Sequence, residues 1–305
     1  MPSLPLRDAP PLPIDAVLPA VQSALADAGV AVVVAAPGAG KTTRIPLALL
    51  DAAWRGDGRI LVLEPRRLAA RAAAEQMARL LGEPVGRRVG YRVRLDARVS
   101  ADTRVEVITE GIFTRMVQDD PALDGIAAVL FDEFHERHIG SDLGLALALE
   151  SRAILRPDLR LLVMSATLEP TPVARLLGDT QPAPTIVSEG REHPVTTAYR
   201  PPRDGVPMAR HVANAIHAAR RESGGDVLVF LPGIADLQRV RSALEEDAIS
   251  ARVELLHGSL ALDDQDRVLR PRDATPRVIL STAIAESSVT LDGVRIVVDA
   301  GLARV

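Results

Sequence analysis

The chain has 305 residues, 47% of them hydrophobic but only 2% aromatic, with 36 Lys and Arg against 40 Asp and Glu and a net charge of −4. That length accommodates two domains of ordinary size, whose cores must be packed with Ala, Val, Leu and Ile. No apolar run reaches the roughly 20 residues of a membrane-spanning helix. The acidic balance confines any nucleic-acid binding to a local basic patch. The absence of cysteine excludes disulfides, thiolate metal sites and a cysteine nucleophile. The proline-broken start, "MPSLPLRDAPPLPIDAVLPA", does not read as a signal peptide, so a cytoplasmic protein is expected.

In chain order, the first predicted strand covers 30–35 and runs directly into "PGAGKTT". Strands over 59–63, 104–108, 127–131 and 159–164 follow, with helices over 68–81 and 143–155 between them. Continuous apolar strands separated by helices predict a parallel sheet covered on both faces. A Pro/Gly-rich segment over 178–194 then reads as an interdomain connection. Alternation resumes with strands over 226–230, 253–256, 277–280 and 295–298 and helices over 208–221 and 234–248. The expectation is an α/β protein with two lobes in series, 1–188 and 189–305.

An apolar strand, a Gly-rich turn and a Lys-Thr pair opening a helix are the context of a phosphate-binding loop. Gly38, Ala39 and Gly40 would present backbone N–H groups to phosphates. Lys41 would reach the β/γ-phosphates, the Thr42 hydroxyl would ligate Mg²⁺, and Thr43 continues the helix start. The usual loop carries a glycine where this chain has Ala35. Lys41 is also the only lysine; every other basic residue of the Lys/Arg class is arginine. A compact ammonium suits a loop wrapped around a phosphate, where a broad guanidinium fork does not.

The strand ending in "AVLFDEFHERH" places Asp132 and Glu133 at a C-terminal strand edge, where ligands bind in open α/β sheets. Asp132 would hold Mg²⁺, and Glu133 would orient and deprotonate an attacking water. His135 and His138 lack a third ligand and fit polar coupling or a surface role better than a metal site. Ser165 and Thr167 of "LVMSAT" put two hydroxyls past another strand, where they can relay hydrogen bonds; alone, the stretch is equally an ordinary Ser/Thr turn.

The ordered set "GAGKTT", "EPRRLAAR", "ITEGI", "DEFH", "SAT", "LVFLPG", "LHGSL" and "STAIAESSVTLDGV" resembles the DEAH-box helicases of superfamily 2, from about residue 10 to the last residue. The resemblance implies two RecA-like lobes, use of ATP (and other NTPs) with Mg²⁺, and a single-stranded nucleic-acid partner, RNA ahead of DNA, with the protein acting as a monomer. It implies that Arg66, Arg67, Thr109 and Glu110 grip the nucleic-acid backbone from the first lobe, and His257, Gly258 and Thr282 from the second. It gives Glu286 a role in sensing both ligands, places Asp292 at the ribose, and makes His135 the residue that couples the lobes during hydrolysis.

Three departures from the family matter. Ala283 stands where an Asn is usual. Gln76 and Leu269 occupy the positions of the base-clamping arginine and aromatic, so discrimination among bases is expected to be weak. The family's Gln-Arg-x-Gly-Arg-x-Gly-Arg stretch does not occur, which reads as a second lobe ending before its arginine fingers. On that reading these residues bind nucleotide but hydrolyse it poorly, and a nucleotide-dependent binding module is the alternative. A P-loop kinase for a small molecule is a further one, disfavoured because the second lobe carries its own Ser/Thr/Glu motif.

Overall fold

The structure, a computed structural model, describes residues 9–167, 169–190, 194–269, 273, 275–285, 291 and 293–302. The chain divides into two compact units, Met1–His193 and Pro194–Val305. The first contains α1 (Leu18–Asp27), β1 (Val30–Ala35), α2 (Lys41–Ala48), β2 (Arg59–Glu64), α3 (Arg67–Leu80), β3 (Val89–Val93), β4 (Asp96–Arg98), β5 (Val105–Thr109), α4 (Glu110–Asp119), β6 (Ile126–Phe131), α5 (Ile139–Ile154), β7 (Arg160–Ser165), α6 (Thr171–Leu177) and β8 (Thr185–Ser188).

These strands form one eight-stranded sheet in the order β4-β3-β5-β2-β6-β7-β1-β8. Only the β3–β4 pair is antiparallel. Side chains alternate along each central strand, and both alternating sets are apolar because both faces are covered. From β1, Ala31, Val33 and Ala35 join α1, α2 and α3 in one core. Val30 and Val32 point the other way, into a core shared with α4, α5 and α6. The small residues of α3, including Ala70, Ala73, Ala74 and Ala78, are buried and let that helix lie close to the sheet.

Two expectations are corrected. The segment over 178–194 is not simply a connection: within it, β8 pairs in parallel with β1, Thr185 opposite Val32 through Ser188 opposite Ala35. The helix expected over 143–155 also starts earlier, at Ile139, immediately after the acidic turn.

The second unit contains α7 (Met208–Glu222), β9 (Asp226–Phe230), α8 (Ile234–Glu246), β10 (Arg252–Leu256), α9 (Leu262–Leu269), β11 (Arg277–Ser281) and β12 (Val294–Asp299). Its four strands run parallel in the order β10-β11-β9-β12. Val227, Val229, Val278, Leu280 and Ile296 face Val212, Ile216, Leu237, Val240 and Leu244 of α7 and α8.

At the N-terminal edge of this sheet Arg277 is buried and fully engaged. Its Nε donates to Asp226 Oδ2 at 2.7 Å, its Nη1 to the Val268 carbonyl at 2.7 Å, and its backbone N–H to Asp226 Oδ1 at 2.9 Å. Removing the guanidinium strands the Asp226 carboxylate against the strand ends. Arg277→Ala is expected to destabilise the second unit by about 3–5 kcal/mol, read as a lower urea midpoint for hydrogen exchange in β9 and β11.

Candidate active site

Five neighbouring strands, β5-β2-β6-β7-β1, end along one edge of the first sheet. Read along that edge, they deliver Thr109-Glu110, Pro65-Arg66-Arg67, Asp132-Glu133, Ser165-Ala166-Thr167 and the loop over 36–40. The residues expected to hold phosphate and metal therefore lie together, with the candidate nucleic-acid contacts of this unit further along the same edge.

The loop after β1 turns through Gly38 and Gly40, at φ of 76° and 97°. Gly40 is needed twice over. Its backbone is left-handed, and a Cβ there would lie 2.7 Å from Leu12 Cδ1. The segment before α1 packs against the loop: the Ile14 N–H donates to the Ala39 carbonyl at 3.1 Å, and Arg44 Nη2 donates to the Pro10 carbonyl at 2.8 Å. Lys41 is buried, and its ammonium donates to the carbonyls of Ala35 at 2.8 Å and Ala36 at 3.5 Å.

The Thr42 hydroxyl donates to Asp132 Oδ2, and Asp132 Oδ1 accepts the Glu133 N–H at 2.9 Å. A hydroxyl and a carboxylate brought together are oxygen ligands suited to a hard divalent cation, so the residues present fit Mg²⁺. Glu133 and Arg137 both have left-handed backbones, at φ of 48° and 50°, a conformation that costs a non-glycine residue energy and clusters at functional turns. Phe113, Phe131 and Phe134 pack edge to face beneath this turn, with ring centroids 6.0 and 6.4 Å apart.

Carboxylates crowd here. Burial, the Asp132 charge and Glu136 push Glu133 up to about 7, against the opposing pull of Lys41. Glu64, at the end of β2, is fully buried; burial together with Asp132, Glu133 and Glu136 holds its carboxyl well above the usual range. His135 is lowered, chiefly by burial, and its Nδ1 accepts the Ala166 N–H at 3.4 Å. The same nitrogen approaches Glu133 Oε2 at 3.4 Å. It ties the Asp-Glu-Phe-His turn to Ser165-Ala166-Thr167, in which Ser165 is buried and Thr167 exposed.

Of the expected nucleic-acid contacts, Arg67 is exposed at the first turn of α3 and Arg66 lies just before it, half-buried. Thr109 caps α4. Glu110 is turned inward: Ser141 Oγ donates to its Oε1 at the start of α5, and a Cβ on Gly140 would strike it. A carboxylate repels phosphate, so Glu110 braces the two helix starts. In the second unit, the His257 side chain accepts from or donates to Ser259 Oγ at 2.9 Å, Gly258 is exposed, and the buried Gln265 donates to the carbonyls of His257 and Leu260. The Thr282 N–H donates to the Leu256 carbonyl at 3.1 Å, joining the ends of β11 and β10. Glu286 and Asp292 lie outside the described residues.

Sequence reasoning missed Glu64, Glu136 and Gln265. For Glu64 the sequence shows only an acid closing an otherwise apolar strand; that this strand lies beside the one leading into Asp132 is given by the sheet order.

A Gly-rich loop after β1 and an Asp-Glu pair after β6, brought together at the ends of a largely parallel sheet across the intervening β7, are the arrangement of a P-loop nucleotide-binding protein. Residues 17–176 match the DEAD/DEAH box helicase family and residues 209–304 the helicase conserved C-terminal domain. The chain belongs to the DEAD/DEAH box helicase family. It is 46% identical over 303 residues to the ATP-dependent RNA helicase HrpB of Escherichia coli strain K12, covering 96% of this chain and 36% of that protein. It is 33% identical over 290 residues to the probable ATP-dependent RNA helicase DHX34 of Homo sapiens, covering 89% of this chain and 24% of that one. The crystal structure of the Escherichia coli DEAH/RHA helicase HrpB superimposes with a TM-score of 0.84 at 44% identity, over 94% of this chain and 36% of that one. The chain thus spans about a third of the length of its HrpB relative.

The buried position of Lys41 generates a prediction. A guanidinium is wider than the ammonium and cannot settle onto the Ala35 and Ala36 carbonyls without moving the loop. Lys41→Arg is expected to weaken nucleotide binding by about tenfold or more despite retaining the charge, measured by titration with a fluorescent nucleotide.

Proposed function

We propose that this chain is an NTP-driven translocase of single-stranded nucleic acid, RNA ahead of DNA, that couples ATP hydrolysis to movement along the strand. The observation that carries this is the meeting of the Thr42 hydroxyl with the Asp132 carboxylate, with Glu133 beside it. The names of the relatives, ATP-dependent RNA helicases, support ATP and RNA as ligands. No helix among the described residues is long and apolar enough to cross a membrane, which is compatible with a cytoplasmic site of action.

The loop over 36–40 presents its backbone to phosphates, with Lys41 as a point charge on the β/γ end. Thr42 and Asp132 would hold Mg²⁺, which when bound offsets phosphate charge. Glu133, raised to about 7, is poised to take a proton from water near neutral pH. Its left-handed backbone fixes the carboxylate relative to Asp132, so positioning and proton acceptance fall to one residue. Asp292 at the ribose, and Glu286 and Ser165 as relays between ligands, complete the reading. Arg66, Arg67 and the Thr109 turn meet a phosphate backbone at two helix starts. Contacts of this kind carry little sequence preference and depend strongly on salt.

Turnover measured with RNA, with DNA and with neither tests the proposal. Stimulation by a strand supports a translocase; indifference to polymer favours a small-molecule kinase, and tight nucleotide binding without turnover a binding module. Glu133→Gln is expected to lower stimulated turnover by about 10²–10⁴-fold while leaving nucleotide affinity near that of the unaltered chain.

Base discrimination is expected to be weak, because Gln76 on α3 cannot stack as an arginine does and Leu269 is buried at the end of α9. GTP and ATP should be hydrolysed at comparable rates under matched conditions. A strong preference for ATP would contradict this.

A further inference from the structure

Glu136 occupies a position that the hydrolytic reading leaves unused. It closes the short 3-10 turn Phe134–Glu136 that follows the Asp132-Glu133 pair. Its backbone N–H donates to the Glu133 carbonyl at 3.0 Å. Its carboxylate reaches across the strand ends to β2, where Oε2 lies 3.6 Å from Arg66 Nη2, and it also meets His138 Nε2 at 2.7 Å. The carboxylate is the inner partner, with its side chain 12% exposed against 27% for Arg66. Arg66 is therefore the more exposed partner of the pair, at the strand-end edge where a phosphate backbone would lie.

We propose that Glu136 is a positioning residue that competes with nucleic-acid phosphate for Arg66, so that strand binding is signalled directly to the turn carrying Glu133. This rests on the reading of Arg66 as a nucleic-acid contact. A guanidinium offers donors in one fixed plane and exchanges one oxyanion for another without changing its charge. When phosphate draws the guanidinium towards itself, the attraction holding the Glu136 carboxylate weakens. Its peptide is bonded to that of Glu133, and the turn is bounded by two left-handed residues, Glu133 and Arg137. A small movement of Glu136 is thus transmitted through one hydrogen bond to the backbone that aims the catalytic carboxylate. The pair is only partly covered, so its strength is that of a modest ion pair. That suits a contact meant to be displaced.

The test uses the whole chain and a fluorescein-labelled oligo-uridine strand, with affinity read by anisotropy over a salt series without nucleotide. Glu136→Gln, which removes the competing charge and keeps the shape, is expected to tighten binding about two- to fivefold. It should also steepen the salt dependence by about one counterion. Glu136→Ala carries the same expectation, so that misfolding of one variant leaves the other to decide. Arg66→Ala is expected to weaken binding and to erase the gain when combined with Glu136→Gln. In turnover assays, the ratio of rates with and without the strand should fall towards one in Glu136→Gln. Damage to the fold alone would weaken binding, not tighten it. If Arg66→Ala weakens binding but neither Glu136 variant tightens it, the competition is refuted and the grip by Arg66 stands. If Arg66→Ala leaves affinity unchanged, the grip itself fails, and the competition with it.

Discussion

For the Thr42 hydroxyl to reach the Asp132 carboxylate, two loops on β1 and β6 must meet across the end of β7, which lies between them in the sheet. Much of the local architecture of the first unit serves that meeting. The loop after β1 has to double back at once, which requires the left-handed Gly40 with Leu12 and Ile14 packed where a side chain would otherwise stand. The turn after β6 must aim Glu133 without letting Asp132 drift, and it accepts two left-handed non-glycine residues to do so. Such strain persists only where the surroundings over-determine it. Here they do: three of the four phenylalanines in the chain lock together directly beneath.

The same meeting creates an electrostatic problem. Glu64, Asp132, Glu133 and Glu136 converge within one sheet edge, and burial, reinforced by mutual repulsion, raises Glu64 and Glu133. Nearby positive charge is sparse, and its form matters. Elsewhere the protein meets carboxylates with arginine, as in Arg59 and Arg92, both 2.8 Å from the buried Glu106, or in Arg210 against Glu246 and Asp247. Planar forks suit planar carboxylates. Lys41 instead donates to two carbonyls at the mouth of the loop, where a fork has no planar partner. One lysine among arginines is explained by geometry, not by charge.

What could be seen in the linear sequence follows from the same physics. The central strands β1, β2, β6 and β7 were legible because burial on both faces demands unbroken apolar runs. The edge strand β8 was not: Thr185 and Val187 are exposed, and the surrounding prolines read as a connection. The β3–β4 hairpin was equally hidden, with a three-residue second strand of Asp, Ala and Arg. The phosphate loop and the Asp-Glu pair were legible because local spacing encodes them. Glu64 and Glu136 were not, because their neighbours come from strand adjacency, β2 beside β6, which no local pattern prints. The inward turn of Glu110 belongs to the same class, since its partner Ser141 lies 31 residues away.

Strand order therefore contributes something that the motifs taken singly do not contain. With β2 beside β6 and β6 beside β7, the path from Arg66 to the Thr42–Asp132 pair is made of short contacts. Arg66 meets Glu136 at 3.6 Å, the Glu136 N–H meets the Glu133 carbonyl at 3.0 Å, and the Glu133 N–H meets Asp132 at 2.9 Å, with Asp132 joined to Thr42. Every link lies at the strand ends, in turns and at the start of α2, while the sheet beneath is close-packed and resists small displacements. On the proposed reading of Arg66, a disturbance there is not dissipated by bending the strands. It has to be taken up by the turn whose backbone is already strained, and that turn holds Glu133.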